Sequence, residues 1–182
     1  MRVLAIAGSL RAASINLAAC QAAAVLAPPG CQVMLHPLRG LPLFNPDLEA
    51  DMPLPVRRWL LAVGEADALW IASPEYAHGI SGVLKNALDW LVSDERFPGK
   101  PVALVNTSPR ARHAWDAAAE TLRTMSARLV PGACATLPLL GCHDSCASIL
   151  ADAALCQGIE VALVALAGAV GAPPPDAGSC AT

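Results

Sequence analysis

The stretch that decides the fold is residues 3–20, VLAIAGSLRAASINLAAC. Its first five residues are apolar and run directly into Gly8, and an alanine- and leucine-rich segment follows a short polar turn. A continuous apolar run closed by glycine predicts a strand buried on both faces, and the second segment predicts a helix. The polar turn, residues 8–14, therefore lies at the carboxyl end of a buried strand.

The same alternation of strand and helix continues along the chain. Strands are predicted at residues 2–7, 31–35, 67–72, 101–106 and, more weakly, 129–138. Helices are predicted at residues 14–27, 56–64, 81–92, 113–128 and 147–169, with an irregular excursion at 36–55. This order predicts an α/β fold in which helices cover both faces of a parallel sheet. We expect one domain over residues 1–170 and a flexible tail at 171–182.

Composition narrows the class of protein. Apolar residues make up 55% of the 182 residues, charged residues 15%, and the net charge is -3. A large core is therefore available, and neither nucleic acid nor a membrane surface is an expected partner. The seven cysteines are irregularly spaced, which predicts free thiols in a reducing compartment. The lipoprotein-like LAAC at 17–20 follows a polar, not an apolar, segment, so we expect a cytoplasmic protein.

The sequence shows no recognisable motif for acid–base or metal chemistry. Cys142, His143, Asp144 and Cys146 lack a second ligand pair at zinc-like spacing, so no metal site is predicted. No nucleophile–base motif and no spaced carboxylate pair occurs either. A ligand site without such groups favours a cofactor that carries the chemistry itself.

In a parallel sheet, ligands bind at the carboxyl ends of the strands near the switch in strand order. The first loop there contains Ser9, Arg11, Ser14 and Asn16 but neither a Walker motif nor a dinucleotide fingerprint. Hydroxyls, a guanidinium and a helix start favour a phosphate. The alternative is that Ser14 only caps the helix and Arg11 only faces water.

Two further loops are expected to meet the first one. In SPEYAHGISG, residues 73–82, Tyr76 either meets a flat ring or packs on the next helix. His78 is a proton donor or simply solvated, and Glu75 serves a ligand or a subunit contact. In TSPRARH, residues 107–113, Arg110 and Arg112 either receive a second anion or face water, which is slightly favoured.

Four segments together resemble the NADPH-dependent FMN reductase family. GSLRAASIN (8–16) and SPEYAHGISGVLKNALDWL (73–91) are similar to its two flavin loops, and LPLFNPDLE (41–49) and FPGKPVALV (97–105) to its second-loop and fourth-strand segments. The resemblance covers residues 2–130. It implies a flavodoxin-like three-layer fold with a five-stranded parallel sheet in the order 2-1-3-4-5.

The resemblance also implies a function. NADPH or NADH would pass hydride to FMN, and a quinone, flavin, azo compound or metal oxyanion would then take the electrons, with no catalytic protein residue. The chain would be a homodimer or homotetramer. The implied cofactor-binding residues are Ser9, Arg11, Ser14, Ile15, Asn16, Pro74, Glu75, Tyr76, Ala77, His78 and Ser108.

Two departures from the family pattern keep alternatives open. Ala77 replaces the usual asparagine after P-E-Y, which removes one side-chain hydrogen bond, and Pro109–Ala111 makes the usually glycine-rich third loop bulkier. The alternatives are a flavodoxin-like electron carrier and a relative that has lost efficient flavin binding.

Overall fold

The computed structural model describes residues 1–110, 112–139 and 144–172. Its strands are β1 Arg2–Ala7, β2 Gln32–His36, β3 Ala68–Ala72, β4 Glu75–Tyr76, β5 Gly79–Ile80, β6 Pro101–Val105 and β7 Arg128–Leu129. Its helices are α1 Ile15–Val25, α2 Leu54–Glu65, α3 Gly82–Asp89, α4 Arg112–Thr124, α5 Cys146–Leu150 and α6 Ala153–Ala169. Short 3-10 turns lie at Pro46–Leu48 and Pro131–Ala133.

The main sheet is parallel and has the order β2-β1-β3-β6-β7. Counted along the sheet's own strands this is 2-1-3-4-5, so the predicted flavodoxin-like topology is confirmed. The order reverses at β1, between β2 and β3. Ala72 of β3 pairs with both Ala7 of β1 and Val105 of β6, so three carboxyl ends are level at one edge. The three loops singled out in the sequence start there.

Helices cover both faces because side chains alternate across each strand. In β1, Val3 and Ala5 join one buried cluster with residues of α1 and α6, whereas Leu4 and Ile6 join a second cluster with residues of α2 and α3. Trp59 on α2 is fully buried, and its Nε1 donates to the Ala87 carbonyl of α3 at 2.8 Å. The continuous apolar runs that predicted these strands reflect burial on both sides.

Two predictions of local structure were wrong in part. The last helix, predicted as 147–169, is divided into α5 and α6, because Asp152 caps a new helix start by accepting from the amides of Ala154 and Leu155. The fifth strand, predicted as 129–138, is reduced to β7, a 3-10 turn and an isolated bridge between Asn106 and Thr136. The second loop is a shaped turn, as predicted, and forms the hairpin β4–β5.

The cysteines of the described ranges are free thiols, as predicted: Cys20, Cys31, Cys134, Cys146 and Cys156. Burial raises the pKa of the Cys20 thiol to about 12, despite a backbone hydrogen bond at Ala72, so this group is inert. Cys142, His143 and the tail beyond residue 172 lie outside the described residues. The described part holds no cluster of three or more metal-ligating side chains, and none of its helices is both long and apolar enough to cross a membrane.

Candidate functional site

A cavity of about 570 Å³ opens at the aligned carboxyl ends of β1, β3 and β6, a volume usual for small-molecule sites. Its walls come from the loops that follow these three strands and from Asp144, which precedes α5. It is lined by Ser9, Arg11, Ala13, Ser14, Ile15, Asn16, Ser73, Pro74, Glu75, Tyr76, Thr107, Ser108, Arg110 and Asp144. Every residue predicted for the cofactor site is among them except Ala77 and His78.

The first loop forms the start of α1. The Ser14 hydroxyl accepts from the Leu17 amide at 3.4 Å and so caps the helix, while the same residue lines the cavity. Ser14 is therefore both the helix cap and part of the cavity wall. The amides of Ile15 and Asn16, at the helix start, have no acceptor within the helix. Together with the Arg11 side chain they present only donors, which suits an anion.

A buried hydrogen bond joins the first loop to the third. The Thr107 hydroxyl donates to Asn16 Oδ1 at 2.8 Å, and both residues are almost fully buried at the cavity floor. Because the partners are 91 positions apart, the bond fixes the spacing between the loops after β1 and β6. Asn16 thus acts as a brace between two walls in addition to lining the cavity.

Replacing Thr107 by valine should lower the free energy of unfolding by about 1 kcal/mol. The substitution keeps the side-chain shape but leaves a buried carbonyl oxygen without its donor, and water from the adjoining cavity limits the loss. Urea unfolding measures the effect, with Thr107→Ser, which retains the hydroxyl, as the matched control. A Thr107→Val variant as stable as wild type would show that the bond adds nothing to loop spacing.

The second loop places an aromatic ring at the cavity mouth. Tyr76 is 52% exposed and lines the cavity beside Pro74. The Glu75 carboxylate accepts from the Ala114 amide near the start of α4 at 2.9 Å, which anchors the hairpin. Glu75 therefore has an intramolecular role, while the exposed ring of Tyr76 is open to a flat ligand.

Ala77 and His78 form the tip of the hairpin, away from the cavity lining. Their φ angles are 50° and 57°, the left-handed pair of a type I′ turn. Asparagine tolerates this conformation better than alanine does, so Ala77 carries a backbone cost at the hairpin tip. The His78 ring stacks on His113 with 4.6 Å between centroids, which makes it part of the hairpin's attachment to α4.

The third loop contributes more than the sequence indicated. Ser108 lines the cavity as expected, and its amide donates to Asn106 Oδ1 at 3.0 Å. Arg110 is exposed but also lines the cavity, whereas Arg112 does not, so the two arginines differ in a way the motif did not show. Sequence reasoning did not assign Ala13, Ser73, Thr107 and Asp144 to the site. For Ser73 and Thr107 the position directly after a strand was an available signal.

Solved structures share this architecture. The flavoenzyme NAD(P)H:(acceptor) oxidoreductase FerB from Paracoccus denitrificans superposes with a TM-score of 0.75, covering 92% of this chain and 97% of that one at 25% identity. Among curated proteins, an NAD(P)H-dependent FMN reductase of Pseudomonas aeruginosa is 44% identical over 111 residues, which is 59% of this chain and 60% of that protein. The 2-hydroxy-1,4-benzoquinone reductase of a Burkholderia species is 37% identical over 111 residues, 59% of this chain and 61% of that protein.

The chain thus spans about 60% of the length of these curated relatives. The family model of NADPH-dependent FMN reductase matches residues 1–137. These residues contain β1 to β7 and the loops after β1, β3 and β6 that line the cavity. The chain belongs to the NADPH-dependent FMN reductase family.

Proposed function

We propose that this chain is an FMN-dependent NAD(P)H oxidoreductase that passes electrons to a small-molecule acceptor. The observation that carries the proposal is one cavity at the switch point, with anion donors on its first loop and an exposed aromatic ring on its second. FMN has a phosphate and a flat ring at opposite ends, so the donor set fits it. When bound, FMN would supply the redox chemistry by taking a hydride from NADPH or NADH and releasing two electrons to the acceptor.

The phosphate would bind at the start of α1. Ser9, Arg11 and Ser14 would donate from side chains, and the amides of Ile15 and Asn16 from the backbone. The helix dipole adds to this attraction. Among the first-loop residues that line the cavity, Arg11 is the charged one; the carboxylates of the lining, Glu75 and Asp144, belong to other segments.

The ring and its ribityl chain would lie between the second and third loops. Pro74 and Tyr76 offer apolar surface to the ring, and Ser108 faces them from the third loop. The anchored Glu75 and the stacked pair of His78 and His113 would hold the hairpin in place. A hairpin held at two points keeps Tyr76 in a fixed position, which orients the ring without reorganisation.

A quinone is the acceptor class that we favour. The support is the similarity to proteins named as quinone reductases, one from a Burkholderia species and one from Escherichia coli at 34% identity. A free flavin, an azo compound or a metal oxyanion remains within the proposal, since the cavity mouth beside Tyr76 is open. Titration with each acceptor class in turn would rank them.

A visible absorbance spectrum tests the proposal directly. We expect added FMN to bind the purified protein, NADPH or NADH to bleach it without air, and a benzoquinone to restore the colour. Failure of FMN to bind would exclude the function. Binding without bleaching by either coenzyme, while dithionite does bleach it, would instead indicate an electron carrier.

We further propose a homodimer or homotetramer in the cytoplasm. The support for assembly is that three large apolar side chains, those of Leu54, Leu61 and Val92, are each more than half exposed. The support for the compartment is that the described cysteines are free thiols. Light scattering that gives a monomer at micromolar concentration would contradict the assembly.

A further inference from the structure

A second cavity of about 240 Å³ lies on the other side of the first loop. We call it the β2 cleft, and its walls include Ser9, Arg11, Leu17, Leu35, Leu38 and Arg39. Ser9 and Arg11 also line the main cavity, so the two spaces share one wall. The β2 cleft is smaller than a usual site for a whole small molecule. Its position suits one end of a ligand whose other end lies in the main cavity.

The β2 cleft is cationic. Arg11 and Arg39 are its charged groups, and none of its lining residues is acidic. Neither arginine takes part in an ion pair within the described ranges. One guanidinium nitrogen of Arg39, Nη2, donates to the Leu10 carbonyl at 2.9 Å, which holds Arg39 over the first loop and leaves its other donors for a ligand.

Apart from Ser9 and His36, the remaining walls of the β2 cleft are apolar. Leu17, Leu35 and Leu38 contribute aliphatic surface. His36 closes one side and packs on Trp59 with 5.2 Å between ring centroids. Burial lowers the pKa of His36, so at neutral pH it is an uncharged wall and the positive charge comes from the two arginines.

We propose that the β2 cleft binds the 2′-phosphorylated adenosine end of NADPH and that Arg39 is the residue that distinguishes NADPH from NADH. This inference rests on the proposed function, since it concerns the coenzyme of that reaction. The apolar walls can pack against adenine and ribose, and the paired donors of a guanidinium group can bind a phosphate. Arg11 is engaged by the FMN phosphate in the proposed function, which leaves Arg39 as the charge specific to this cleft.

The test uses the FMN-saturated protein and two probes that differ by one phosphate, adenosine 2′,5′-bisphosphate and adenosine 5′-monophosphate. Calorimetry should show the bisphosphate binding at least tenfold more tightly to wild type. The ratio should fall to near one in Arg39→Met and also in Arg39→Gln, which keeps a donor for the Leu10 carbonyl. The same variants should lower the ratio of kcat/KM for NADPH over that for NADH. Arg123→Met, an exposed site on α4 outside both cavities, is the control and should keep the wild-type ratio.

Three results would overturn the inference. The first is equal binding of both probes by wild type that has bound FMN normally, which leaves the proposed function intact. The second is displacement of FMN by the bisphosphate, which would place the probe in the main cavity. The third is a wild-type ratio in Arg39→Gln with a lost ratio in Arg39→Met, which would make the hydrogen bond to Leu10 the cause. Failure of FMN itself to bind would instead contradict the proposed function.

Discussion

Replacing Arg11 by alanine should weaken FMN binding about ten- to a hundredfold. The side chain lines the cavity next to the start of α1, and the loss of a charged hydrogen bond to a phosphate costs about 1.5–3 kcal/mol. Within the described ranges the Arg11 side chain has no intramolecular hydrogen bond or ion pair, so thermal stability without FMN should not change. Quenching of FMN fluorescence during titration measures the dissociation constant.

Two companion variants make the Arg11 result specific. Arg11→Lys should recover part of the affinity, because lysine keeps the charge but not the two-pronged geometry. Arg123→Ala removes an equal charge from the exposed side of α4, outside both cavities, and should bind FMN as wild type does. If Arg11→Ala bound FMN within twofold of wild type, the phosphate would have to bind elsewhere.

Replacing Gly8 by alanine should destabilise the protein by about 2–3 kcal/mol and also weaken FMN binding. Gly8 is buried where β1 ends, and its amide donates to the Ala72 carbonyl at 2.8 Å. A Cβ there would lie 2.5 Å from Ser73 Oγ and 2.9 Å from Ser73 Cβ, closer than atoms can approach. To relieve this clash, either β1 and β3 separate at the cavity floor or Ser73 moves. Both adjustments lower the free energy of unfolding, as overpacking generally does.

A double variant separates this clash from other effects of the Gly8 substitution. Ser73→Gly removes the two closest atoms that the new Cβ would meet and leaves Ser81 Oγ at 3.1 Å. Gly8→Ala combined with Ser73→Gly should therefore be more stable than the sum of the single variants predicts. Urea unfolding of the four proteins gives the coupling energy. Additive losses would mean that the close approach of the two loops does not restrict residue 8.

Sequence patterns were sufficient for four strands of the main sheet and for the first loop that lines the cavity. The apolar runs at β1, β3 and β6 could be read without a partner because strands buried on both faces need apolar residues throughout. The first strand was predicted with the bounds that the structure has, Arg2–Ala7. The sequence pattern did not predict the lengths of the last strand and the last helix. β7 pairs with β6 over two residues only, and the side-chain cap at Asp152 divides the last helix into two.

The first loop was the most predictable part of the site. A strand end, a glycine, three polar donors and a helix start are adjacent in sequence, so their chemistry could be inferred from residues 8–16 alone. The resemblance named the same residues, and the family model over residues 1–137 confirms the family. Their role in holding FMN stays a prediction.

What the sequence by itself determined, then, is a parallel sheet whose first turn suits a phosphate, because both properties depend on residues close together in the chain. The tertiary structure alone decided which side chains meet across the site. It brought Thr107 to Asn16, set Arg110 apart from Arg112, and turned Ala77 and His78 into a left-handed hairpin tip outside the cavity. These outcomes depend on contacts between distant segments and on backbone dihedrals, and no residue pattern within one loop specifies either of them.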